Sequence, residues 1–195
     1  MRALTIHQPW ASLVALGVKT IETRSWRTSY RGPLAIHAGQ RSPSTERSVK
    51  VGDWCMFYGR RRWEIEHFAA GEHGAPSSLQ PPFGAVVATA TLVDCVPICG
   101  WGEDPPCDHL CVGRDGRLRA WGYCPDGDRR AWRPLTSPDR SEVRIDDRTD
   151  QLPYGDFTPG RWAWLLADVQ PIGPIPAKGR QGLWECDLAE CGAPR

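Results

Sequence analysis

Apolar and polar positions along this chain alternate more often than they recur every three or four residues, so the pattern predicts mostly strands. Ala3 to His7 reads as a first strand. A short apolar helix follows, carried by Trp10, Leu13, Val14 and Leu16, with Pro9 suited to its first position and Gly17 to its C-terminal stop. That places Gln8 at the N-cap. Glutamine is a poor capping residue, so Gln8 is read as a candidate ligand contact instead. Thr20 to Trp26 is extended, and alternation sets Glu22, Arg24 and Trp26 on one face with Ile21 on the other. Gly32-Pro33 marks a turn before a second apolar strand, Leu34 to Ala38. Ser44 to Val51 and Glu64 to Ala70 read as short helices, Trp54 to Tyr58 as an apolar run, and Gly71 to Pro82 as a loop. Gly84 to Cys95 is long, β-branched and the strongest strand signal in the chain. Arg161 to Val169 alternates again, and Pro171 to Pro176 is extended and punctuated by proline.

These elements define a mainly β chain with short helices, an α+β class in the broad sense. The five strands beginning at Ala3, Thr20, Leu34, Gly84 and Arg161 suffice for a small closed β-barrel, which removes exposed strand edges. The chain reads as a single domain over residues 1–195, with residues 96–160 an insertion inside it. A loop of that length needs an internal staple to stay folded.

Composition narrows the partners. With 41% apolar residues and 10 tryptophans the chain is not globally disordered. It lacks the run of about 18 apolar residues that a membrane span needs. The segment Met1 to His7 lacks the apolar stretch of a secretory leader, which predicts a cytoplasmic protein. A net charge of +1 gives no global field toward nucleic acid, so any such binding must use a local patch. Only Lys19, Lys50 and Lys178 are lysines among 24 basic residues. Arginine supplies planar, two-pronged contacts to phosphates and base edges.

One such patch is concentrated in sequence. Lys19, Glu22 and Arg24 fall within six positions, flanked by Trp10 and Trp26. A lysine is a point charge for phosphate, an arginine a fork for phosphate or a base edge, and a glutamate between them accepts from a base amino group or orients both cations. Trp10, Trp26 and Trp184 are candidates to stack a splayed base. The competing reading is an open surface ladder of ion pairs, worth little energetically. A second basic stretch, Lys178-Gly179-Arg180-Gln181-Gly182, pairs two cations with glycines that let a backbone approach phosphate closely.

The residues His7-Gln8-Pro9-Trp10-Ala11-Ser12-Leu13, the spacing Gly17-x-Lys19-x-x-Glu22-x-Arg24, and Arg31-Gly32 resemble the ASCH domain, the family named for activating signal cointegrator homology. The resemblance is strong over residues 3–38 and resumes at 84–94 and 161–184. It implies a barrel like that of pseudouridine synthases and archaeosine transglycosylases (PUA-like). It also implies nucleic-acid binding, RNA or a modified nucleotide before DNA, in a cleft lined by Gln8, Trp10, Lys19, Glu22, Arg24, Trp26, Lys178 and Arg180. Some relatives are amidohydrolases of acetylated cytidine that carry a threonine three positions after the lysine. Here that position is Glu22, with Thr20 and Thr23 displaced from it. Other relatives resemble metal-independent ribonucleases. For such a hydrolase, the alternative function, Lys19 and Glu22 are the candidate catalytic pair, with His7 or His37 as further bases.

Eight cysteines in a chain read as cytoplasmic point to thiols or metal rather than to a disulfide framework. Five of them, Cys95, Cys99, Cys107, Cys111 and Cys124, crowd into 30 positions. Zinc takes four Cys or His ligands, and Cys99, Cys107, His109 and Cys111 are the candidate set for a structural zinc that would staple the insertion. No other cofactor is expected.

Overall fold

The computed structural model describes residues 1–40, 48–51, 54–59, 62–67, 78–79, 81–99, 109–112, 118–121, 135–136, 142–143 and 151–189. In chain order the elements are β1 (Arg2–Ile6), α1 (Trp10–Ala15), β2 (Ile21–Arg24), β3 (Gly32–Ala38), β4 (Ser48–Val51), β5 (Trp54–Gly59), β6 (Arg62–His67) and β7 (Ser78–Leu79). There follow β8 (Ala85–Cys99), β9 (His109–Val112), β10 (Leu118–Trp121), β11 (Leu135–Thr136), β12 (Glu142–Val143), a 3-10 turn at Leu152–Tyr154, β13 (Trp162–Pro176) and β14 (Leu183–Glu185). The described residues are thus mainly β, as the alternating pattern predicts. No helix among them is long and apolar enough to cross a membrane.

Three expectations need correction. Ser48–Val51 and Arg62–His67 are strands paired with β5, not parts of helices. Their β-branched and aromatic residues alternate with polar ones (Val49 and Val51; Trp63 and Ile65), a period of two that outweighs local helix propensity. The strand from Ala85 does not stop at Cys95 but runs to Cys99, because Val96 and Ile98 continue into the core. The insertion therefore begins inside a strand, and β9, β10 and residues 151–160 carry further order within it. Cys107, from the candidate zinc set, lies outside the described residues.

The chain divides into two compact units, Met1–Lys19 with Pro33–Ala90 and Asp168–Arg195, and Thr20–Gly32 with Thr91–Ala167. In the first, β1 runs parallel to β3, with Ala3 beside Ala35, and antiparallel to β14, with Ala3 beside Trp184. Ala3, Ala35, Val86, Trp184 and Cys186 form a core cluster onto which Ile172, Ile175 and Leu188 pack. Every residue from Leu34 to Ala38 is buried, the signature of a strand covered on both faces. A separate antiparallel sheet runs β4-β5-β6-β7.

Helix α1 also belongs to this unit. At six residues it is too short to stand alone, and burial of Ala11, Leu13 and Val14 holds it. Its N-cap is Pro9 rather than Gln8. The Gln8 side chain nonetheless braces the helix: its Oε1 accepts from Ser12 N at 3.2 Å while its Nε2 donates to the Pro82 carbonyl at 2.7 Å. The C-terminus is as the sequence predicts. Gly17 takes φ +74, its N–H donates to Val14 O at 2.8 Å, and Val18 N donates to Leu13 O at 3.0 Å. This is a Schellman cap, which needs the left-handed conformation that glycine adopts without a Cβ penalty. Lys19 N donates to the same Leu13 carbonyl at 3.0 Å, so the cap fixes the backbone of Lys19 as well.

In the second unit β2 pairs antiparallel with β13, with Glu22 beside Trp164 and Arg24 beside Trp162. Its core gathers Ile21, Val96, Ile98, Leu110, Phe157, Ala163 and Leu165. The buried Gln151 ties the start of β2, its Oε1 accepting from Thr20 N at 2.9 Å and Ile21 N at 3.3 Å.

Candidate functional site

The alternation expected along β2 is observed. Ile21 lies beside Leu165 and Thr23 beside Ala163 on the core face, so Glu22 and Arg24 share the other face with Trp162 and Trp164. That second face is not an open ion-pair ladder. Glu22 is 7% exposed and Trp164 is fully buried. Glu22 Oε1 lies 3.0 Å from Arg24 Nε, an ion pair along the strand. The Arg24 side chain is a quarter exposed, which keeps one edge of the pair within reach of solvent.

Trp26 continues this face. Its ring meets Trp164 edge-on, centroids 4.6 Å apart and planes at 85°, and its carbonyl accepts from Trp164 Nε1 at 3.3 Å. The bond satisfies an indole N–H that burial would otherwise strand. Trp26 itself remains partly exposed.

The other face of the same segment is held by residues that the sequence does not flag. Thr23 Oγ1 accepts from Asp156 N at 3.0 Å, and Arg161 Nη2 donates to Thr23 O at 3.4 Å. Asp156 Oδ2 lies 3.3 Å from Arg161 Nε. The Thr158 hydroxyl and amide, with Arg161 adding to them, hold the Asp156 carboxyl below its usual range. A Cβ on Gly155 would sit 2.9 Å from the Phe157 ring and 3.1 Å from Thr23 Cγ2, so only glycine lets this loop lie against β2. Beyond the strand, Arg31 donates through Nε to Asp94 Oδ1 at 3.1 Å and through Nη1 to the Thr28 and Tyr30 carbonyls at 3.0 and 2.8 Å. Cys95 accepts from Thr28 N at 3.5 Å, and burial pushes its thiol pKa up, away from nucleophilic use. The long-range partners Gln151, Asp156 and Arg161 lack any local sequence signal. Arg31 belongs to the Arg31-Gly32 pair that the sequence does flag, and Asp94 lies near the end of the strongest strand pattern.

In the first unit Lys19 is 1% exposed, which is rare for lysine and requires partners. Trp10 is partly buried on α1. Gln8 has both ends of its amide engaged in the protein, which favours a bracing role over a ligand contact. Lys178 and Arg180 are exposed on the loop after β13. The loop is pinned from beneath: Thr5 Oγ1 donates to the Arg180 carbonyl at 2.9 Å and accepts from Trp184 Nε1 at 3.2 Å. Trp184 is thus a core residue rather than a stacking platform. Its ring stands edge-on to His37 at 5.6 Å. His37 Nε2 lies 3.0 Å from the Ala177 carbonyl, and burial lowers its pKa, so the ring is neutral and donates there. His7, by contrast, is exposed.

Among the described side chains no three His, Cys, Asp or Glu residues gather around a common point. The side chains of His109 and Cys111 fall outside that description.

Comparison with known proteins places much of the chain in a family. Human activating signal cointegrator 1 is 34% identical over 93 residues, which are 48% of this chain and 14% of the human protein. The mouse protein of the same name matches with the same identity and coverage. The aligned stretch therefore spans only a small part of these relatives. The ASCH domain model matches residues 4–104, just over half of the sequence and the whole Gly-x-Lys-x-x-Glu-x-Arg segment. The chain belongs to the ASCH domain family.

Proposed function

We propose that this protein binds nucleic acid, RNA or a modified nucleotide, through the segment Gly17 to Trp26. Family membership supports the general nucleic-acid reading. The observation that carries the finer one is the burial of charge within this segment: Lys19 is 1% and Glu22 7% exposed. Charges held out of water are costly, and they cluster where a ligand's charge must meet a preorganised partner. In this reading Lys19 supplies charge to a phosphate. Arg24, oriented by Glu22, presents its fork to phosphate or a base edge. Trp26 offers an aromatic edge or face to an unstacked base. Lys178 and Arg180 contribute solvent-exposed cations on their own loop.

The test is titration of labelled single-stranded RNA, with single-stranded DNA of the same sequence in parallel. Arg24→Ala and Lys19→Gln should each weaken RNA binding by about 1–3 kcal/mol and flatten its salt dependence. Far-UV circular dichroism confirms that each variant is folded. Absence of binding by the native chain at low salt overturns the reading. Equal affinity for DNA overturns its RNA part.

A further inference from the structure

We propose that Cys99, His109 and Cys111 form a zinc-binding site on the sheet of the second unit, independent of the nucleic-acid segment. The juxtaposition comes from strand register. β9 lies parallel to β8 with Ile98 beside Leu110 and Cys99 beside Cys111. Ile98 and Leu110 are 1% and 0% exposed and belong to the apolar core. Successive strand residues alternate faces, so the positions on either side of this core pair lie on the opposite face. Cys99 and Cys111 therefore occupy adjacent places on that face. His109, two positions before Cys111 on β9, shares it. β10 pairs with the far side of β9, Arg119 beside Cys111 and Trp121 beside His109, so β9 is held between two strands.

The spacing suits a metal. Neighbouring strands lie about 4.8 Å apart. Two thiolates at about 2.3 Å from a tetrahedral zinc sit about 3.8 Å from each other, which residues side by side on adjacent strands can reach. A histidine position two places along the same strand falls on that face by register. Two thiolates and a neutral imidazole would balance the dication and suit its borderline-soft character, with water taking the fourth tetrahedral position. The same separation would also allow a disulfide. The mass of the metal-free chain tells the two apart. Cys107 lies outside the described residues, and the proposal does not use it.

The full chain, purified under reducing conditions without chelator, should contain about one zinc per molecule by elemental analysis. The stripped protein, titrated with cobalt(II), should develop thiolate-to-cobalt charge-transfer absorption and the visible bands of a tetrahedral ion. Cys99→Ser and Cys111→Ser should each weaken cobalt binding by at least about ten-fold, in the range that loss of a directly bound ligand produces. Cys99→His should keep the metal with weaker charge-transfer intensity, so a loss through misfolding is told apart from a loss of ligation. Cys95→Ser should leave cobalt binding unchanged. Three results overturn the site: zinc well below one per chain even after zinc is supplied, full metal content in both serine variants, or a metal-free chain two hydrogens lighter through a Cys99–Cys111 disulfide.

Discussion

Strands β2 and β3 are consecutive in the chain and both are buried, yet they are built from opposite materials. β3 fills its positions with Leu34, Ala35, Ile36 and Ala38, fully buried apolar groups whose only task is packing. β2 spends one face on Ile21 and Thr23 and commits the other to Glu22 and Arg24, a pair 3.0 Å apart beneath Trp162 and Trp164. Burying charge gains little stability over an apolar pair of the same size. A strand that keeps it is not explained by packing alone, and the contrast separates residues that hold the fold from those to which the proposed function assigns ligand contacts.

The largest expected effect lies on the packing side. Ile36→Ala should lower unfolding free energy by about 2–5 kcal/mol in urea titration, leaving nucleic-acid affinity of the folded molecules unchanged. A fall in that affinity would break the distinction between the strands. Glu22→Gln should cost about 1–3 kcal/mol of stability, since Arg24 loses its counter-charge while a quarter of it still meets solvent. An unchanged or raised stability would mean that the pair is not holding β2 together. Gly179→Ala tests the loop that carries Lys178 and Arg180. Its Cβ would collide with the His37 ring, so the loop or ring must shift, at about 1–3 kcal/mol by thermal unfolding.

The smallest effect is a pair of pH windows, one from each unit. His37 is pushed below its ordinary 6.5 by burial, against an opposing contribution from the Ala177 carbonyl. The unfolded chain takes up that proton and the folded chain resists it, so the contribution is full above pH 6.5 and is lost as pH falls toward the lowered folded value. His37→Gln should flatten stability against pH in that window. Asp156 is held below 3.8 by Thr158 and Arg161, so its contribution persists until pH drops below 3.8 and is then lost. Asp156→Asn should leave the higher window intact and flatten only the lower one.

Much of this organisation is legible in the sequence, for local reasons. Gly17 announces the end of α1 because a Schellman cap needs its backbone freedom. The alternation from Ile21 to Arg24 announces which residues share a face. The strands β4 and β6 are misread because short segments offer only a few positions on which to judge period. The functional reading of Gln8 weakens because its partners include Pro82, a backbone carbonyl 74 positions away that leaves no trace near Gln8 in sequence. The same holds for Gln151, which ties down β2 across 131 positions. Charge and periodicity are written locally, whereas a hydrogen bond closed by a distant loop is written only in the fold.

The cap at Gly17 carries a consequence for how this segment can evolve. Leu13 accepts from both Val18 and Lys19, and four positions beyond Gly17 the chain enters β2 at Ile21. Inserting or deleting a single residue there would exchange the two sides of β2, turning Ile21 out of the core and Glu22 into it. The length of this stretch is therefore expected to be constrained apart from the side chains it carries.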